Sequence, residues 1–270
     1  MKNLLFIVSV FGLATSIAVA KNSSNLNRGG FGFLFPDANS FINGGQMAQT
    51  QGTAVEGYYE RNDGSDVQTA TPSVVWGSGR VGLGAFVSRT GTELTGNNGG
   101  NSDSVGAGLG VSLASGKVTV GGTIQRSIDT AQTDDGTVTA ALNYNGAKGQ
   151  GFHMGGGFST TLNSVSGTDL RTAILALGWG FGGMASFELN YKLKDLDQTS
   201  NNYVAGGYLN FGGNNYYLSS GYSYDKPSNL STVAGRLGYI AGSIDLSVHA
   251  EHIMADGQNP SYGATLRTTF

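Results

Sequence analysis

The chain has no cysteine, four prolines and three histidines in 270 residues, and only 12% of its residues are charged. Without cysteine it carries no disulfide, although an exported chain would be free to form one. A charged fraction near half the usual ~25% leaves little polar surface to show water. Beyond residue 20 no apolar run approaches the ~20 residues of a spanning helix, which excludes helical membrane insertion. No stretch of helical period matches the strength of the chain's alternating segments. The charge balance is mildly acidic: the 15 basic residues less Lys2 give 14 against 18 acidic ones, a net charge of −4 once the leader is gone. That balance gives no hint of a nucleic-acid partner.

Glycine and aromatics are plentiful instead, with 45 Gly, 12 Tyr, 13 Phe and 2 Trp. High glycine with low charge can mark a disordered linker, but the aromatic and β-branched content argues for an extended, mostly β structure. The opening "MKNLLFIVSVFGLATSIAVA" has a basic start at Lys2, an apolar run from Leu4 to about Leu13, and Ala18-Val19-Ala20 as a small-x-small cleavage site. Residues 1–20 are expected to be a secretory signal peptide, cleaved ahead of Lys21.

Period-two alternation dominates the chain beyond this leader. In "ASFELNYKLK" Ala185, Phe187, Leu189, Tyr191 and Leu193 share one face, and Ser186, Glu188, Asn190, Lys192 and Lys194 the other. "SIDLSVHAEH" repeats the pattern, and "SVGAGLGVSLA" sets Val105, Ala107, Leu109, Val111 and Leu113 against glycines and a serine. Fourteen such segments are expected at 52–61, 67–77, 80–91, 103–114, 117–128, 137–146, 151–162, 170–179, 183–194, 202–212, 215–224, 231–240, 243–253 and 260–270. Connections after even-numbered strands are tight, such as "GSG", "SGK" and "AG". Those after odd-numbered strands are mostly longer and polar, such as "GTELTGNNGGNSD". Short turns at one end and long loops at the other are the plan of an outer-membrane β-barrel, with both termini on the periplasmic side. The expected fold is therefore all-β: a transmembrane antiparallel up-and-down barrel over residues 52–270. A leading segment over 21–51 would plug or line its lumen. A soluble antiparallel sandwich would bury one face equally well, but leaves the loop asymmetry unexplained.

The polar parity assigns Glu56, Glu188, Lys192, Arg236, Asp245, His249, Glu251 and Arg267 to the lumen. They are few and of mixed sign, which disfavours a strongly ion-selective pore. No cofactor or metal is expected, and no catalytic set. In "SVHAEH" His249 and His252 have opposite parity, and Ser247 and Glu251 form no recognisable motif with His249. "GAGLG" has no following helix to make a phosphate loop, so it indicates a smooth strand that lets a plug or a neighbouring barrel approach closely. The final strand places Tyr262, Ala264, Leu266 and Phe270 on one face. A terminal aromatic with that alternation is similar to the signal by which the outer-membrane assembly machinery recognises its substrates, and Phe270 is expected to serve so. The expected location is the outer membrane of a Gram-negative bacterium, with its lipids as surroundings.

In the leading segment Phe31, Phe33, Leu34, Phe35 and Phe41 are too apolar for a solvated tail. "FPDANSFINGGQMAQTQGTAVEGYYER" resembles the opening of the long-chain fatty-acid transporter family of outer-membrane proteins. Asp37, Ala38, Ser40, Phe41, Ile42 and Asn43 follow the family's order, and Met47-Ala48 falls where the family has Leu-Ala. The resemblance implies fourteen strands and a lumenal hatch made by Asp37 to Met47, with Phe31, Phe33, Phe35 and Phe41 lining or sealing an apolar path. The family's Asn-Pro-Ala turn is Asn43-Gly44-Gly45 here, and its large outer loops are missing. Two functions fit these expectations: passive passage of small, hydrophobic or amphipathic molecules, or a non-conducting barrel that self-associates around lipid. For the second, Tyr216, Leu218, Tyr222 and Tyr224 would form the meeting face, giving a homo-oligomer.

Overall fold

A computed structural model describes residues 43–63, 66–92, 94, 102–128, 136–145, 150–162, 171–181, 184–196, 202–213 and 215–270. The expected signal peptide and the expected hatch positions Phe31, Phe33, Phe35, Asp37 and Phe41 lie outside the described residues.

Fourteen strands form one closed antiparallel barrel in which each strand pairs with its sequence neighbours. They are β1 (Gln51–Asn62), β2 (Gln68–Ser78), β3 (Val81–Gly91), β4 (Ser102–Leu113) and β5 (Val118–Ser127). Then come β6 (Gly136–Tyr144), β7 (Gly151–Leu162), β8 (Arg171–Gly180), β9 (Ala185–Leu193) and β10 (Tyr203–Gly212). The last four are β11 (Tyr216–Asp225), β12 (Leu230–Ala241), β13 (Ile244–Ile253) and β14 (Ser261–Thr269). No strand end departs from the sequence expectation by more than two residues. Gln51, assigned from sequence to the leading segment, belongs to β1 because it faces Ser78 on β2. Among the described residues a one-turn helix, α1 (Gly44–Met47), precedes the barrel. Among the described residues no helix is long and apolar enough to cross a membrane.

Closure is made by β1 and β14, paired from Ala54↔Thr269 to Asn62↔Ser261. Phe270 extends this ladder: its N–H donates to the Thr53 carbonyl at 2.7 Å, and the Thr53 N–H donates to the Phe270 carbonyl at 3.0 Å. With every edge paired, no strand is left to template aggregation. Connections after even-numbered strands have two to six residues and those after odd-numbered strands four to ten. Two of the short ones turn on glycines that adopt positive φ, Gly79 at 77° and Gly242 at 62°, as tight hairpins require. Pro72 stands inside β2, where its missing N–H interrupts the ladder. The β2–β3 register has no partners for Thr71 and Pro72, and a 2.8 Å hydroxyl bond between Thr71 and Ser88 spans the gap.

Because directly opposed residues share a face, the registers divide every strand into an outward and an inward set. The outward set carries the large apolar side chains. Toward the short-turn end these include Trp76, Tyr144, Phe152, Trp179, Phe187, Phe211, Tyr216 and Tyr239, all exposed. Toward the long-loop end stand Tyr59, Tyr191, Tyr222 and Tyr262. Between them lie Val74, Leu109, Ile124, Leu175, Leu189, Leu237 and Val248, exposed as well. Tyr262 and Leu266 face outward, and Phe270 continues their parity.

Candidate functional site

The inward face encloses α1. Asn43, Met47 and Ala48 have no solvent exposure, and the turn packs against β2–β6 near the short-turn end. It fits because the wall beneath it has no side chains. Gly52, Gly77, Gly82, Gly110 and Gly121 form one continuous cross-strand row over β1–β5. A Cβ on Gly82 would collide with the Met47 carbonyl oxygen, one on Gly110 with that of Gly44, one on Gly121 with the Gly44–Gly45 peptide, and one on Gly77 with Thr50. The Met47 side chain lies over Gly108 in the next row, 2.5 Å from where its Cβ would stand. Glycine here allows backbone to rest on backbone.

Side-chain amides hold the other flank of α1. The Asn43 Nδ2 donates to Asn143 Oδ1 at 2.9 Å, and the Asn143 Nδ2 donates back to Asn43 Oδ1 at 3.0 Å. Asn143 also donates to Thr119 Oγ1 at 3.1 Å, and Gln46 Nε2 donates to Asn145 Oδ1 at 3.4 Å. All are buried, so each bond satisfies groups that would otherwise carry a desolvation cost of ~1–3 kcal/mol. The sequence singled out Asn43 and Met47 but missed Thr119, Asn143 and Asn145. Their signal was an inward-parity polar residue beside a short turn, legible only once the register is known.

The opposite wall carries the charge. Arg267 on β14 faces Glu56 on β1 and Asp245 on β13. Two inward positions further along, Arg236 on β12 faces His249 on β13. The Tyr217 hydroxyl donates to Asp245 Oδ1 at 3.0 Å. Tyr58 stacks on His249 with centroids 5.2 Å apart, and its hydroxyl donates to Glu60. Gly238 and Gly263 leave room for the Tyr217 and His249 rings to lie along the wall. Among the described residues, neither Glu56 carboxylate oxygen nor either His249 nitrogen has a hydrogen-bond partner. The eight charged or titratable residues expected in the lumen all occupy the inward set. Glu56, Glu188, Arg236, Asp245 and His249 are buried, whereas Lys192 and Glu251 are exposed toward the long-loop end. His252 faces outward beside Val233.

A third feature spans β5–β8. Thr123, Thr139, Ser159 and Thr172 stand in one unbroken cross-strand row. Thr123 and Thr139 share a 2.5 Å hydroxyl bond, and Ser159 and Thr172 one of 2.6 Å. They border a recess of about 350 Å³ that also touches Gln125, Ile174 and Lys192. The lumen is thus a cup. At the short-turn end its side chains are buried around the wall, as at Val75, Asn143, Ser186, Ser219 and Asp245, and toward the long loops the inward Lys192 and Glu251 are exposed.

No protein-family model matches the chain, and no curated protein matches its sequence. Among solved structures, the fold is similar to a triple mutant of the Rhodopseudomonas blastica porin. The two share 10% identity over 81% of this chain and 99% of that one, with a TM-score of 0.49. It is also similar to a KdgM porin, with 13% identity over 80% of this chain and 99% of that one, and a TM-score of 0.47.

Proposed function

We propose that this chain is an outer-membrane channel for passive passage of small hydrophilic solutes, stoppered at its periplasmic end by its own N-terminal hatch. The observation that carries this is the inversion of the two faces. An aliphatic band between two aromatic belts surrounds a wall of hydroxyls, amides and charges. In water that outward face would be an apolar patch far beyond the few hundred Å² a soluble monomer shows. In a bilayer it is the lipid face, and the aromatic belts sit at the two interfaces. A closed sheet satisfies the main chain that lipid cannot. The short turns, α1 and the closing end of β14 then lie on the periplasmic side.

The polar wall supports hydrophilic rather than hydrophobic cargo. Vesicles containing the chain without residues 21–50 should swell fastest in a pentose and more slowly in a trisaccharide, with no uptake of a long-chain fatty acid above protein-free vesicles. Size-independent swelling, or saturable fatty-acid uptake, would reverse the assignment.

The closing ladder gives a separate expectation for assembly. Deleting Phe270 removes two main-chain bonds to Thr53, each worth ~0.5–1.5 kcal/mol, and an outward ring at the periplasmic belt. The variant should reach the periplasm normally, while its folded form in the outer membrane, read as the mobility difference between boiled and unboiled samples, falls severalfold. Unchanged insertion would remove Phe270 from that role.

A further inference from the structure

The two ends of the barrel carry opposite charge. Connections after odd-numbered strands hold more than half of the chain's 18 acidic residues. Connections after even-numbered strands contain no Asp or Glu. Their charged residues are Arg80, Lys117 and Lys148, the last of which lies outside the described residues. Arg80 and Lys117 are both exposed, and neither side chain has a hydrogen-bond or ion-pair partner among the described residues.

Both cations stand on the lumen side of this rim. The Ser112 N–H donates to the Arg80 carbonyl at 2.6 Å, which extends the β3–β4 ladder and puts Arg80 on the inward set with Ser112 and Thr119. The Asn145 N–H donates to the Lys117 carbonyl at 2.7 Å, which puts Lys117 on the inward set with Asn145. Thr119 and Asn145 belong to the amide network that holds α1. Two strand spacings and two residues separate the cations, about 12 Å between Cα atoms. Beside Arg80, the β2–β3 and β4–β5 hairpins enclose a recess of about 610 Å³ that Gln51, Ser112 and Ser115 also border. The two hydroxyls and the Gln51 amide have no side-chain partner among the described residues.

We propose that this rim docks an acidic peptide reaching it from the periplasm. Arg80 takes one carboxylate through paired N–H donors, Lys117 takes a second, and Ser112, Ser115 and Gln51 bond the peptide's main chain. Carboxylates four residues apart on an extended chain stand ~13 Å apart, close to the spacing of the two cations. A lipid phosphate is the weaker occupant, because the inward set turns both cations away from the lipid face. A broad protein surface has little to rest on. The hairpins after β8, β10 and β12 are short and uncharged, which leaves far less than the ~1,000 Å² of a stable protein interface.

Docking here is independent of what passes through the lumen; only its exposure to the periplasm rests on the proposed membrane orientation. Full-length protein in neutral detergent is titrated with fluorescent hexaglutamate and followed by anisotropy. Binding should saturate at one peptide per chain and weaken as salt is added. Arg80→Gln with Lys117→Gln should lose about tenfold in affinity. Arg171→Gln, which removes an exposed cation at the opposite end, should bind like the parent. Ser115→Cys supplies a single thiol at an exposed position of the recess, and bound peptide should slow its maleimide labelling severalfold. Each variant is first shown to keep its unboiled gel mobility. Equal affinity in the double variant and in Arg171→Gln overturns the proposal, as does labelling of Ser115→Cys that the peptide leaves unchanged. Displacement of the peptide by an equal concentration of inorganic phosphate would leave a small-anion site only, and displacement by phosphatidylglycerol would give the rim to lipid; either overturns the peptide as occupant. On intact cells a polymer-linked maleimide should reach Ser115→Cys only after the outer membrane is permeabilised. Labelling before that step defeats the membrane orientation, whereas absent peptide binding in detergent defeats this inference alone.

Discussion

Leucine at Gly110 will unseat the hatch. An added Cβ there collides with the Gly44 carbonyl oxygen and lies 2.9 Å from the Ala48 nitrogen, both main-chain atoms that no rotamer change can move. Overpacking of this kind costs ~1–3 kcal/mol, which lowers the seated population relative to the open one by ~5- to 150-fold. The absence of cysteine makes the event easy to read. Met47→Cys introduces a single thiol, smaller than the side chain it replaces, at a position without solvent exposure. Its maleimide labelling should be slow in the otherwise unchanged chain and faster by that factor with Gly110→Leu. Gly235 provides the control, since nothing lies within 4 Å of where its Cβ would be. Gly235→Leu should label like the parent. Equal rates for both leucine variants would mean that the glycine row is not the seat of the hatch.

Arginine at Leu237 separates a membrane barrel from a soluble one. Leu237 is 56% exposed, faces outward, and sits between Leu218 and Val248 midway along β12. In a soluble protein an exposed substitution away from special features stays within ~0.5 kcal/mol. At the bilayer midplane the same charge costs ~2–4 kcal/mol. Denaturant unfolding of the barrel in lipid vesicles should show the larger loss, enough to shift the folding equilibrium constant by more than an order of magnitude. The matching change on the lumen side, Glu251→Arg, falls at an exposed position and should leave stability nearly unaltered. A neutral Leu237→Arg would place this face in water.

Face assignment was legible in the sequence, because it needs only the parity of a residue. "ASFELNYKLK" and "SIDLSVHAEH" divide into outward and inward sets without any partner, and the registers keep each residue they pair, 185–193 and 244–252, on its expected side. Height and neighbourhood were not legible, since they depend on register between strands far apart in the chain. Asn43 meets Asn143 across 100 residues. Glu56 meets Arg267 only because the first and last strands close on each other. The glycines of "GAGLG" announced a smooth strand. That Gly110 continues a row through Gly82, Gly77 and Gly52 is a property of several registers together and of no local pattern. The hydroxyl row on β5–β8 is hidden in the sequence for the same reason: Thr123, Thr139, Ser159 and Thr172 are unremarkable singly and become a surface only when aligned.

The glycine row and the charged wall divide the lumen between them. Backbone packing and neutral amide bonds hold α1 on β2–β6, and the inward charged groups stand mostly on β11–β14 and β1, with Glu188 and Lys192 on β9. Removing the hatch should therefore expose a polar conduit without dismantling the wall that lines it. Single-channel recording in planar bilayers, comparing the full-length chain with one lacking residues 21–50, tests this most directly. The expected result is small or absent steps from the full-length protein and severalfold larger, stable steps from the shortened one. Equal steps from both, or none from either, would contradict a stoppered polar channel.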